Sequence, residues 1–86
     1  MKTIQSLINQ IEDIPEFYTI YAKPPWTQES EANLKIDPEG ESNPFEAEGL
    51  EYFLEVFICQ EMAEDMKEYS LKDRCERIIH YAINDA

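Results

Sequence analysis

Apolar side chains near the N-terminus follow the period of an α-helix. They lie three and four residues apart, at Ile4, Leu7, Ile8, Ile11 and Ile14. This spacing predicts an amphipathic helix over residues 3–14, with one face turned to a core. Thr3 is suited to cap the helix, and Pro15 is expected to end it, because proline restricts the preceding residue and donates no hydrogen bond.

A second helical pattern fills the C-terminal end of the chain. Its apolar positions are Leu71, Cys75, Ile78, Ile79, Ala82 and Ile83. Their spacing predicts one long helix with a single buried stripe. Ser70 precedes this stripe and Asp73 follows three residues later, a pair that resembles a capping box, so we expect the helix to begin there.

Two short segments between these helices have the character of strands. Residues 16–22 (EFYTIYA) are rich in aromatic and β-branched side chains, which pack well on a pleated sheet. Residues 32–37 (ANLKID) alternate apolar and polar side chains, as expected of a strand with one buried face. The next residues, DPEGESNP, contain turn-forming types throughout and predict a loop.

The segment over residues 44–66, PFEAEGLEYFLEVFICQEMAEDM, mixes acidic and apolar residues, and its secondary structure is ambiguous. From Leu50 onward its apolar residues at helical spacing are Leu50, Phe53, Leu54, Phe57, Ile58, Met62 and Met66. We therefore favour a helix with a kink near residues 56–59. The alternative is a strand over residues 52–58, which contain aromatic and β-branched side chains.

The order of these elements predicts one α+β domain over residues 1–86. We expect a two-stranded or slightly larger antiparallel sheet packed against three to four helices. A chain of 86 residues buries only a modest core, so its stability margin is narrow and a homodimer is an open alternative. Trp26 follows two prolines, and we expect it to cover the core rather than to anchor an interface.

The net charge of the chain favours some kinds of binding partner over others. Nineteen acidic residues against seven basic ones give a formal net charge of −12. This excess opposes binding to nucleic acid or to an anionic membrane, and it favours a basic protein partner. The alternative is that the acidity serves solubility alone.

The acidic residues are concentrated in one part of the chain, which contains ten acids and no base between residues 37 and 65. The candidate partner-binding residues are Glu51, Glu55, Glu61, Glu64 and Asp65, with Asp37, Glu39 and Glu41 as a rim and Tyr52 as an aromatic anchor. On the expected helix, Glu51 and Glu55 share one face, and Tyr52 falls outside the apolar stripe. Like charges at this spacing cost ~0.2–0.5 kcal/mol per pair, which a basic partner would offset. The alternative is a solvated face held by the apolar stripe.

Sequence signals for catalysis, metals or cofactors are weak. His80 has no zinc-ligand pattern around it, and Cys75 lies five residues before it on a poorly matched helical face. Asp37, Glu39 and Glu41 are spaced like the first ligands of an EF-hand, but the glycine falls at position four instead of six. The chain has no nucleophile elbow and no glycine-rich phosphate loop. We expect no catalytic residue, no metal site and no cofactor.

The cysteine spacing, the N-terminal sequence and the length of the apolar runs favour a cytoplasmic protein. The two cysteines lack CxxC spacing and form no disulfide framework, although a single bridge between them stays open. The N-terminus lacks a continuous apolar run and a small-residue cleavage site, so we expect no signal peptide. No apolar run approaches the ~20 residues that span a bilayer.

Residues 34–86 resemble a family of small bacterial proteins that look like immunity proteins of polymorphic toxin systems. In that family an Asp-rich turn leads into a Gly-Leu-x-x-Leu-like segment, a helix follows, and the last helix ends in a tyrosine and an Asp-Ala. The matching positions are Asp37, Gly49, Leu50, Leu54, Tyr81, Asp85 and Ala86.

The resemblance implies an inhibitor that blocks a basic toxin surface, often that of a nuclease. Such an inhibitor needs dense negative charge and aromatic anchors on a folded scaffold, and it needs no catalytic group. Three alternatives stay open. They are a phage-type DNA mimic that inhibits a host defence nuclease, a structural homo-oligomer, and a small enzyme or metal-binding domain.

Overall fold

The structure is a computed structural model that describes residues 2–36 and 45–85. Its helices and strands are, in chain order, α1 (Ile4–Asn9), β1 (Tyr18–Ala22), β2 (Ala32–Ile36), β3 (Glu51–Glu55), α2 (Val56–Asp65) and α3 (Leu71–Asp85). Single 3-10 turns at Ile11–Asp13 and Glu46–Glu48 precede β1 and β3. The predicted α+β class is confirmed.

The described sheet has three antiparallel strands in the order β2–β1–β3, so β1 is central. Ile20 of β1 pairs with Leu54 of β3, and the next residue, Tyr21, pairs with Tyr52. Phe53 is therefore the extra residue of a β-bulge. The bulge allows the adjacent side chains of Phe53 and Leu54 both to enter the core.

The prediction of a helix after Leu50 is wrong for the first part of that segment. Glu51–Glu55 forms strand β3, and helix α2 begins only at Val56. Gly49 has a φ of +79°, a left-handed conformation that glycine adopts easily, and it turns the chain into β3. Backbone pairing with β1 overrides the helical spacing. The alternative strand over residues 52–58 is right only for its first half.

The N-terminal helix is shorter than its apolar pattern predicts. Thr3 caps it as expected, in a capping box where the hydroxyls of Thr3 and Ser6 each accept from the other's backbone N–H. The α-helix ends at Asn9, and the 3-10 turn continues the chain to Asp13. The side chain of Gln60 bonds to the backbone of this region, a tertiary contact that the spacing does not reveal.

The three helices and the sheet form the core together. Its largest fully buried apolar side chains include Phe53, Ile4, Ile20, Ile78 and Val56. Trp26 covers this core, since its ring lies edge-on to Phe53 at 5.0 Å between centroids, and its indole N–H donates to the carbonyl oxygen of Ala22 at 3.1 Å. Phe57 and Ile83, which the helical spacing placed in buried stripes, are instead 40% and 57% exposed.

Candidate protein-binding surface

Helix α2 presents an acidic face to solvent. Its buried residues Val56, Cys59 and Ala63 recur at three- and four-residue spacing, which fixes one side of the helix against the core. The exposed side chains of the opposite side are Phe57, Glu61, Glu64 and Asp65. Three predicted binding residues are thus brought together on one rigid element.

A shallow groove of about 490 Å³ lies beside this face. Its lining side chains are Glu16, Phe57, Gln60, Glu61, Glu64 and Asp65. We call these six residues the acidic groove, because four of them are carboxylates. Glu16 was not predicted as a binding residue, since no local pattern links it to a helix that begins at Val56.

Gln60 holds the two walls of the acidic groove together. Its side-chain nitrogen donates to the backbone carbonyl oxygens of Ile11 at 2.9 Å and of Ile14 at 2.7 Å. These bonds tie α2 to the segment that leads into β1, and they place Glu16 beside the helix. Both hydrogens of the Gln60 amide are used in this way, so only its oxygen is left to meet a ligand.

The negative charge of the groove is little offset. Among the described residues, the one ion pair joins Lys67 Nζ to Glu64 Oε1 at 2.8 Å, and both side chains are well exposed. The hydrogen bond and the charge of Glu64 raise the pKa of Lys67, so the lysine is protonated at neutral pH. An exposed pair of this kind is strongly screened by water. Glu16, Glu61 and Asp65 have no ion-pair partner within this part of the chain.

The candidate residues of β3 are arranged differently from the prediction. Glu51 and Glu55 begin and end the strand, about 13 Å apart at ~3.3 Å per residue. The prediction that they share one face of a helix is therefore wrong. Glu55 is only partly exposed and lies at the N-terminal cap position of α2. Neither residue lines the acidic groove.

Tyr52 is exposed, as expected, but on a strand rather than on a helix. It is 44% accessible, and its ring lies 6.4 Å from that of Tyr21, which also contacts Phe45 at 5.4 Å. These aromatic rings pack on the sheet away from the main core cluster. The rim residues Asp37, Glu39 and Glu41 lie outside the described residues, so their predicted role stays a prediction.

A second open groove, of about 760 Å³, follows the outer side of α3. Its lining side chains are Asp73, Glu76, Arg77, His80, Tyr81 and Asn84. The guanidinium carbon of Arg77 lies 4.5 Å from the ring centre of Tyr69, a cation–π contact. The charges here have both signs, so this groove is less suited to a strongly basic partner than the acidic groove.

The two cysteines are buried and unpaired. Burial raises the pKa of Cys59 to about 12 and is the main cause that raises the pKa of Cys75 to about 11. Both thiols therefore keep their protons at neutral pH and are poor nucleophiles. Within residues 2–36 and 45–85, no cluster of three or more His, Cys, Asp or Glu side chains is arranged to hold a metal ion.

Comparison with protein-family models, with curated proteins and with solved structures found no match to this chain. The resemblance to immunity proteins thus depends on the short motifs quoted above. Across the described part of the chain, no helix has the length and apolar character needed to cross a membrane.

Proposed function

We propose that the protein is a non-enzymatic binding protein that docks a basic protein partner in the acidic groove. The observation that carries this proposal is the groove itself, which combines four carboxylates with an exposed phenylalanine. Among the described residues, the one ion pair with its lining is that of Lys67 with Glu64. Phe57, 40% exposed, offers an apolar surface beside these carboxylates.

Each part of the groove has a separate role in this proposal. The carboxylates attract a basic surface and accelerate its association, an effect that weakens with added salt. The ring of Phe57 supplies apolar area, which is the usual source of affinity at the centre of an interface. The bonds from Gln60 hold the groove in shape before the partner arrives, so little ordering cost is paid on binding.

We propose further that the partner is a toxin domain, as the resemblance to immunity proteins implies. A nuclease toxin binds its substrate phosphates in a basic cleft. An acidic helix seated in such a cleft would exclude the substrate and would need no catalytic group. The net charge of −12 supports this choice over a partner that carries phosphate itself, because like charges repel.

Parallel affinity capture from the native cell lysate tests the proposal. One column carries the wild-type protein, a second carries the groove variant Glu61→Lys/Asp65→Lys, and a third carries Glu29→Lys/Glu76→Lys. The third variant has the same net charge as the second, but its changes are exposed and outside the groove.

The proposal predicts a basic protein that the wild type and the third column retain at low salt and that the groove variant loses. Expression of that protein alone should arrest bacterial growth, and co-expression of the wild type should restore it. If all three columns retain the same proteins, the acidic groove is not the binding surface. If the captured protein is harmless alone, the toxin assignment fails while the binding role stands.

A further inference from the structure

We propose that the acidic groove is built to receive an arginine side chain of the partner, whose guanidinium lies on the ring of Phe57. This inference rests on the proposed binding function and specifies which chemical group of the partner enters the groove.

The groove offers hydrogen-bond acceptors and no free donor in its lining. The carboxylates of Glu16, Glu61, Glu64 and Asp65 can only accept when ionised. Gln60 would normally offer two donor hydrogens, but the carbonyl oxygens of Ile11 and Ile14 take both. A ligand group rich in donors and positive in charge therefore matches every polar atom of the lining.

The exposed ring of Phe57 distinguishes between the two basic side chains. Phe57 and Glu61 are four residues apart on α2, so their side chains are neighbours on one helix face. A planar guanidinium can stack on the ring and direct its N–H groups to a carboxylate at the same time. A lysine ammonium is more strongly hydrated and is a point charge, so it gains less from the ring.

Charge complementarity and the ring of Phe57 together select an arginine side chain as the group that binds in the groove. The carboxylates alone would attract any cation, including a dissolved metal ion. The ring adds a preference for a weakly hydrated planar cation, and the fixed amide oxygen of Gln60 adds a further acceptor for its N–H groups. The structure itself contains a comparable contact at Arg77, whose guanidinium lies over Tyr69.

Two capped peptides of equal charge test the inference by NMR titration of the isotope-labelled protein. One contains two arginines separated by glycine, and the other has lysine in place of each arginine. The arginine peptide should shift the amide signals of Phe57, Glu61 and Glu64 and bind roughly two- to fivefold more tightly than the lysine peptide.

Substitution of the ring provides the second arm. Phe57→Leu keeps an apolar side chain but removes the aromatic face, so the preference for arginine should disappear while salt-sensitive binding of both peptides persists. Tyr81→Leu, which removes an exposed ring on α3, should leave the preference intact.

Equal binding of the two peptides to the wild type would overturn the arginine inference and leave the proposed acidic docking function standing. The inference is also overturned if Phe57→Leu keeps the preference, or if the arginine peptide moves signals away from α2 or none at all. The proposed function is judged separately, by the capture of a full-size partner.

Discussion

The side-chain amide of Gln60 donates a hydrogen bond to the backbone carbonyl oxygen of Ile14, at 2.7 Å. A second bond from the same nitrogen reaches the carbonyl oxygen of Ile11 at 2.9 Å. Together they join α2 to the segment that ends two residues before Glu16. One side chain thus connects the packing of the fold to the shape of the acidic groove.

We expect Gln60→Leu to lower the free energy of unfolding by about 1–3 kcal/mol. The carbonyl oxygen of Ile14 loses the bond from Gln60, and that of Ile11 keeps only the bond from the backbone N–H of Ile14. Urea denaturation measures this loss. Gln5→Leu is the matched control, since the side chain of Gln5 makes an exposed hydrogen bond to the side chain of Gln28, and its loss should change stability by about 0.5 kcal/mol or less. Equal losses in the two variants would argue against a tether at Gln60.

Two isoleucines of α3 test the observed burial. Ile78→Val removes a methylene group from the fully buried core and should cost about 0.5–1.5 kcal/mol. Ile83→Val, the same change at a side chain that is 57% exposed, should have almost no effect. Thermal or urea unfolding gives both values. Similar losses would mean that Ile83 is buried, as its helical spacing predicted, and not exposed.

The acidic face should carry a small stability cost of its own. Glu61 is three residues from Glu64 and four from Asp65 on α2, and each like-charge pair costs ~0.2–0.5 kcal/mol. Glu61→Gln is therefore expected to stabilise the fold slightly in urea at low salt, with a smaller gain at high salt. Glu29→Gln, outside the helix, serves as the control. A loss of stability in Glu61→Gln would show that this carboxylate supports the fold.

The buried thiols predict a loss of stability at alkaline pH. Burial raises the pKa of Cys59 from 9.0 to about 12, and it is the main cause that raises that of Cys75 to about 11. The stabilisation that the two buried, protonated thiols give the folded state is fully present below pH 9, where the thiols of the unfolded chain are still protonated. It falls as the pH rises towards the folded pKa values, by up to ~1.4 kcal/mol per pH unit and thiol.

The variant Cys59→Ala/Cys75→Ala isolates this effect, because its unfolding free energy should fall less steeply between pH 9 and pH 11 than that of the wild type. The other titratable side chains are the same in both proteins, so only the difference between the two slopes is informative. Identical slopes would contradict the raised thiol pKa values.

Elements with strong local signals were predicted well from the sequence. The caps at Thr3 and Ser70 hold as expected, the latter through a 3.1 Å bond from the Asp73 backbone N–H to the Ser70 hydroxyl. Strands β1 and β2 also fall where their side-chain composition placed them. In each case the deciding interactions lie within a few residues, so the local pattern contains the information.

The remaining features depend on contacts between distant parts of the chain. Residues 51–55 have helical spacing, yet the central strand β1 pairs with them and makes them a strand. This change starts the helix at Val56 and turns Phe57 outward, which no local period could predict. Glu16 lines the groove beside Gln60, whose side chain bonds to the backbone two residues before Glu16.

Docking in the acidic groove is tested most directly by the dissociation constant of the captured partner, measured by calorimetry at low and at moderate salt. If the partner docks there, Glu61→Lys/Asp65→Lys should weaken binding about tenfold or more at low salt and make the dissociation constant less dependent on salt. Glu29→Lys/Glu76→Lys, with the same net charge, should cause a clearly smaller loss. Equal weakening by both variants, or unchanged affinity in the groove variant, would contradict docking in the acidic groove.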